Sequence, residues 1–164
     1  MAQQTTPLWD ALMQFRDAER ERVSKSTIVA HEDESPVELT PMGIIRWYTH
    51  PSLDQQAMKT YNLWIQEIPP GSRSGRVTHQ GGRLHYVWQG QGYTVVNGVS
   101  HEWETGDLIL IPVVTEGVEF QHFNTGDTLA KLVTVELNLS SFASIDFGVR
   151  FEVVEPAPEY RASR

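Results

Sequence analysis

The residues best able to do chemistry in this chain are His79, Arg83, His85 and His122. Histidine titrates near neutral pH, so a pair of imidazoles can move protons. Neutral imidazoles also ligate iron, nickel, copper and zinc. Arginine stays charged, and its planar fork suits a carboxylate. Spacing groups them further. His85 lies two positions beyond Arg83, and His122 two beyond Phe120. Side chains two apart on a strand share a face, about 6.6 Å apart.

Several chemistries are excluded at once. The chain has no cysteine, so there is no disulfide, thiol nucleophile, iron–sulfur cluster or Cys-ligated zinc. Lys and Arg number 13 against 21 Asp and Glu, a net charge of −8, which argues against binding a phosphate backbone. No apolar run reaches the length of a membrane span. The first residues, Met1 to Pro7, show no secretion signal, so a cytoplasmic location is expected. Asn138-Leu139-Ser140 forms a glycosylation sequon that would then have no use.

The elements that must position these residues are mostly strands. Residues 7–25 read as the single helix, with Thr5 or Thr6 as cap, Pro7 at its first position, and Leu8, Trp9, Leu12, Met13 and Phe15 as an apolar stripe. That stripe suggests packing on the rest of the chain or on a second subunit. Residues 26–43 read as a connecting arm, with the acidic patch His31–Glu34 as a solvated loop. Ten short strands follow: Ile44–Tyr48, Tyr61–Ile68, Gly75–His79, Leu84–Gln89, Tyr93–Val96, Val99–Trp103, Leu108–Ile111, Gly117–Phe123, Leu129–Leu137 and Gly148–Val154. Asn97-Gly98 marks a tight hairpin. One domain of about ten strands and one helix is an all-β sandwich or barrel. We divide the chain into residues 1–43 (helix and arm), 44–154 (barrel) and 155–164 (a loose tail rich in proline). His31, His50 and His101 read as peripheral, and Arg46-Trp47-Tyr48 as core or interface, with a pocket wall as the alternative.

The stretch from Gly71 to Asn124 resembles the cupin family, whose fold is a double-stranded β-helix or jelly-roll barrel. Gly71, Val77-Thr78-His79, Arg83 and Gly90 follow the spacing of that family's first motif. Gly106, Pro112, Gly117, Phe120 and Asn124 follow its second. At the family's four metal-ligand positions this chain has Val77, His79, Arg83 and Phe120. Three of the four cannot ligate, since Val and Phe have no lone pair and Arg keeps its proton.

If those four positions line the barrel, as the resemblance implies, so do His85 and His122. A displaced metal site of His79, His85 and His122 is then one reading. A divalent ion, iron first, would be the cofactor. Arg83 opposes it: a guanidinium about 5 Å from a divalent ion costs roughly 6–7 kcal/mol at an effective dielectric near 20. A bridging carboxylate would relieve that repulsion. The other reading is a metal-free pocket for a small organic acid, with Arg83, His79, Val77 and Phe120 binding it and His85 and His122 as the catalytic pair.

The phrases His79–Gly82, Gly92–Gly98 and Gln121–Asn124 look most like cupins related to gentisate-type dioxygenases. That resemblance implies ferrous iron held by three histidines and ring cleavage of hydroxylated aromatic acids. The alternatives are a metal-free isomerase or lyase and a non-catalytic module that binds a small anion. The expected partners are a small organic acid and a second copy of the chain, with no nucleic acid and no membrane.

Overall fold

The computed structural model describes residues 7–53, 55–138 and 149–163. Among these residues, a helix α1 (Leu8–Ser24) is followed by eleven strands and a short closing helix. The strands are β1 (Val37–Thr40), β2 (Gly43–Thr49), β3 (Tyr61–Ile68), β4 (Arg76–His79), β5 (Arg83–Gln89), β6 (Gln91–Val96), β7 (Val99–Glu104), β8 (Leu108–Ile111), β9 (Val118–Asn124), β10 (Ala130–Leu137) and β11 (Glu152–Glu155); the helix α2 spans Pro158–Ala162. They form a six-stranded sheet, β1-β2-β3-β10-β5-β8, and a five-stranded sheet, β11-β4-β9-β6-β7. The pairings are antiparallel, and β10 pairs with both β3 and β5, as in a jelly roll.

The alternation in the strands explains the two faces. On β10, Ala130, Leu132 and Thr134 turn inward, while Lys131, Val133 and Val135 turn outward. The inward residues of both sheets build two apolar clusters. One contains Ile68, Val87, Trp103, Ala130 and Leu132. The other contains Val77, Ile111, Val118 and Phe120. Each fully buried aliphatic side chain contributes about 1.5–3 kcal/mol.

Turn chemistry sets the register. Asn97 and Gly98, at φ +47° and +81°, join β6 to β7 and bring Val96 opposite Val99.

Three expectations need correction. The arm holds a strand, since β1 pairs with β2, placing Val37 opposite Arg46. The tail is not loose. The β11 strand pairs with β4, Ala157 is fully buried, and its amide donates to the Pro41 carbonyl at 2.9 Å. Proline signals a loop in sequence, but Pro158 here opens α2, where a missing N–H costs nothing. Finally, the α1 stripe does not pack on its own barrel, because no residue of α1 is buried. The two sheets already close the core without it.

Thr5, Thr6 and most of the sequon lie outside the described residues, as does the start of the last strand read from sequence. Among the described residues, no helix is long and apolar enough to cross a membrane. His31 to Glu34 is exposed, as a solvated loop requires.

Candidate binding site

Register decides which polar residues meet inside the barrel. His85 on β5 lies opposite Thr134 on β10, and His122 on β9 lies opposite Thr94 on β6. Both pairs are bonded: His85 Nδ1 to Thr134 Oγ1 at 2.8 Å, and His122 Nδ1 to Thr94 Oγ1 at 2.7 Å. Trp103 Nε1 also donates to Thr94 Oγ1, at 3.0 Å. The two imidazoles meet edge to face, with ring centroids 4.4 Å apart. Both are almost wholly buried. Burial holds the His85 imidazole well below its ordinary range, helped by the charges of its neighbours His122, Arg83 and His79. Burial, with Arg83 nearby, brings His122 down to about 3. Both are therefore neutral near pH 7. Their Nε2 atoms are buried without a partner.

His79 belongs to a different group. Its Nδ1 accepts the backbone N–H of Gly81 at 2.9 Å. An amide can only donate, so the proton of the neutral ring sits on Nε2. That atom faces Glu136 Oε2 at 3.5 Å, close enough for attraction but long for a hydrogen bond. Gly81 makes this arrangement possible. Its φ is +100°, and a Cβ there would lie 2.0 Å from the Pro112 carbonyl oxygen.

Glu136 Oε2 also accepts two hydrogen bonds from Arg83, from Nε at 2.9 Å and from Nη2 at 2.6 Å. Burial alone would raise the Glu136 pKa. His79 and the charge and hydrogen bonds of Arg83 overcome that and hold it at about 2. The Arg83 guanidinium is also caged by rings: Cζ lies 5.2 Å from the centroid of Trp64, 5.5 Å from Phe151 and 5.8 Å from Phe120.

This second group forms one end of a cavity of about 150 Å³. Trp47, His50, Asn62, Trp64 and Phe151 supply much of the rest of its wall. Of the residues expected from sequence, His79 and Arg83 reach the cavity. Val77 and Phe120 pair across β4 and β9 inside the second apolar cluster. His85 and His122 are not among the cavity's lining residues.

Iron at a displaced three-histidine site does not fit these residues. Among the described residues, no three His, Asp or Glu side chains are grouped so as to hold one ion. His79 keeps the proton on its inward nitrogen, so it has no lone pair to offer there. It is also turned to Glu136, while His85 and His122 face each other. In this arrangement His79 lies beside Glu136 and Arg83, while His85 and His122 pack on each other. The picture of Arg83 as a free carboxylate clamp changes as well, because Glu136 already occupies it.

Sequence reasoning missed Glu136, Trp64, Asn62 and Phe151, and placed His50 outside the site. A signal for Glu136 was present: it shares inward parity with Leu132 and Thr134 on an apolar strand. An inward carboxylate calls for a buried cation, and Arg83 is the one it finds. Of the alternatives for Trp47, the pocket wall is the one its position matches.

Comparison with known proteins agrees with this architecture. Residues 64–136 match the family model described as Cupin domain. Among curated proteins, 5-aminosalicylate 1,2-dioxygenase from Comamonas sp is 28% identical over 93 residues. The match takes in 57% of this chain and 24% of that enzyme, so the chain spans about a quarter of its length. Salicylate 1,2-dioxygenase from Pseudoaminobacter salicylatoxidans, solved as adducts with gentisate, superposes with a TM-score of 0.56 at 18% identity, covering 86% of this chain and 36% of that one. A Cupin 2 conserved barrel domain protein from Salinispora arenicola gives 0.55 at 16% identity, covering 67% and 87%. These likenesses show the fold. The chain resembles gentisate-type dioxygenases as a small cupin.

Proposed function

We propose that this chain is a small-molecule-binding cupin whose cavity takes a single-ring hydroxylated aromatic compound without a metal. The cavity carries the reading. Its volume of about 150 Å³ is close to that of an apolar cavity able to hold benzene. Trp47, Trp64 and Phe151 offer ring faces and edges, and a polar end is formed by His79, Arg83 and Glu136.

The charge count selects among ligands. Arg83 and Glu136 cancel, and His79 presents an N–H, so the polar end has no net charge. A phenol hydroxyl can accept from His79 Nε2 or donate to Glu136. A ligand carboxylate would have to share Arg83 with Glu136, two anions on one cation. The organic acid expected from sequence therefore narrows to its hydroxylated ring. The relatives named for aminosalicylate and salicylate lend support to an aromatic ligand.

Acid–base catalysis has less support. The only lone pair on neutral His79 is taken by Gly81, and the Glu136 carboxylate, held at about 2, is a weak base.

The test is titration of the protein with phenol, catechol and benzoate, followed by tryptophan fluorescence and calorimetry, with a chelator present throughout. Saturable binding of the phenols, weaker binding of benzoate, and loss of both in Trp64→Ala are expected. Binding or oxygen uptake that appears only after anaerobic iron loading, with about one iron per chain that His79→Ala abolishes, would replace this reading with that of a ring-cleaving oxygenase.

A further inference from the structure

Among the described residues, two apolar surfaces are left uncovered. One is the stripe on α1, where Leu8, Trp9, Leu12 and Phe15 are 72, 68, 54 and 69% exposed. The other is the outer face of the six-stranded sheet at its β5–β8 end. There Tyr86 lies opposite Leu108, and Leu84 opposite Leu110. Tyr86, Trp88, Leu108 and Leu110 are 43, 45, 52 and 67% exposed. Val133 and Val135 continue this face onto β10, opposite Tyr86 and Leu84.

Area decides what these surfaces are for. Counting each aromatic side chain at roughly 150–250 Å², the helix stripe exposes about 500 Å² of apolar surface, and the sheet face about the same. A single patch of roughly 300–600 Å² is the largest a typical monomer shows. This chain shows two. We propose that α1 of one copy lies on the β5–β8 face of a second copy, and that the reciprocal contact closes a two-fold dimer.

The occupant is a second copy because both halves of the contact are on the same chain. A two-fold contact uses each surface twice, which closes the assembly without leaving either surface open. Counted over both contacts and both chains, burial reaches roughly 2,000 Å², the upper end of standard specific interfaces. One contact alone would bury about half of that, at the lower limit.

Absence of cysteine makes the test direct, because each introduced thiol is unique. Light scattering of the full chain at micromolar concentration is expected to give twice the chain mass. Phe15→Glu on the helix and Leu110→Lys on the sheet are each expected to halve it, with unchanged circular dichroism. Both positions are exposed, so neither substitution disturbs the core. Phe15→Cys protein mixed with Leu110→Cys protein is expected to yield a mixed disulfide or bismaleimide dimer. A monomeric parent chain overturns the proposal. So does a dimer that survives either charge substitution, or one in which Phe15→Cys chains link only to each other.

Discussion

Glu136 accepts both the Nε and the Nη2 of Arg83 through one oxygen, Oε2, at 2.9 and 2.6 Å. The other oxygen, Oε1, faces Asn62 Nδ2 at 3.4 Å. The chain thereby supplies its own anion to Arg83, the guanidinium that a substrate carboxylate would otherwise meet at the cavity.

Removing that anion should change both stability and selectivity. Glu136→Gln leaves the Arg83 charge buried without a counter-ion, which costs about 3–5 kcal/mol. Urea denaturation should show the loss. In the folded fraction, benzoate should bind more tightly than in the parent, and phenol less so. Unchanged benzoate affinity would mean that the guanidinium is not accessible from the cavity.

Stability should fall as the pH drops below neutral. His85 and His122 are depressed in the folded chain, so the unfolded chain binds more protons below about 6.5, in a window that for His122 runs down to about 3. Their contribution is fully present above pH 6.5 and is lost progressively below it. The Glu136 contribution has the same sign and a lower window, from about 4.5 to about 2. Each buried histidine adds a slope of up to about 1.4 kcal/mol per pH unit. Denaturation midpoints between pH 7 and 4 measure it, and His122→Gln should remove about one histidine's share. An equal slope in that variant would show that His122 is not buried neutral.

A methyl group added at Gly81 should unseat His79. The Cβ would meet the Pro112 carbonyl oxygen at 2.0 Å, on a backbone at φ +100°. We expect Gly81→Ala to cost more than about 2 kcal/mol. Gly98→Ala is the control. Its φ is +81°, but no atom lies within 4 Å of the added carbon, so only the backbone penalty of about 1–2 kcal/mol applies. Thermal melts of the two variants separate the terms, and similar losses would mean the Pro112 contact is relieved cheaply.

Asn124 should prove a structural residue. Its Nδ2 donates to the carbonyls of Ile68, Pro69 and Thr128, and its Oδ1 accepts the amide of Gly126. Asn124→Ala strands these buried groups, each at about 1–3 kcal/mol before the loops relax. Calorimetric melting should drop sharply, while in the protein that remains folded ligand affinity stays within a few-fold.

The barrel was legible because its signals are local. Asn97-Gly98, the spaced glycines and the period-two runs each constrain a few neighbouring residues, and together they define strands. Asn124 and Pro112 fell where the motif spacing placed them. The site was less legible because it depends on pairing across the sheets. His79, His85 and His122 share inward parity, yet parity does not say which strand lies opposite. Register sends His85 to Thr134 and His122 to Thr94, and Glu136 arrives from a strand some 50 positions beyond Arg83. The α1 stripe was read correctly as apolar and helical. What it packs on could not be told from periodicity, which reports a face and not its partner.

The ring-caged Arg83 and its carboxylate also limit how this barrel can evolve. Substituting Arg83 alone leaves Glu136 buried without its cation, and substituting Glu136 alone leaves the converse. Each single step crosses a valley of several kcal/mol, in a domain whose whole stability is typically about 5–15 kcal/mol. A chain that gives up the cation at position 83 must therefore change position 136 almost simultaneously, or first gather stability elsewhere. The two positions therefore tolerate change only together.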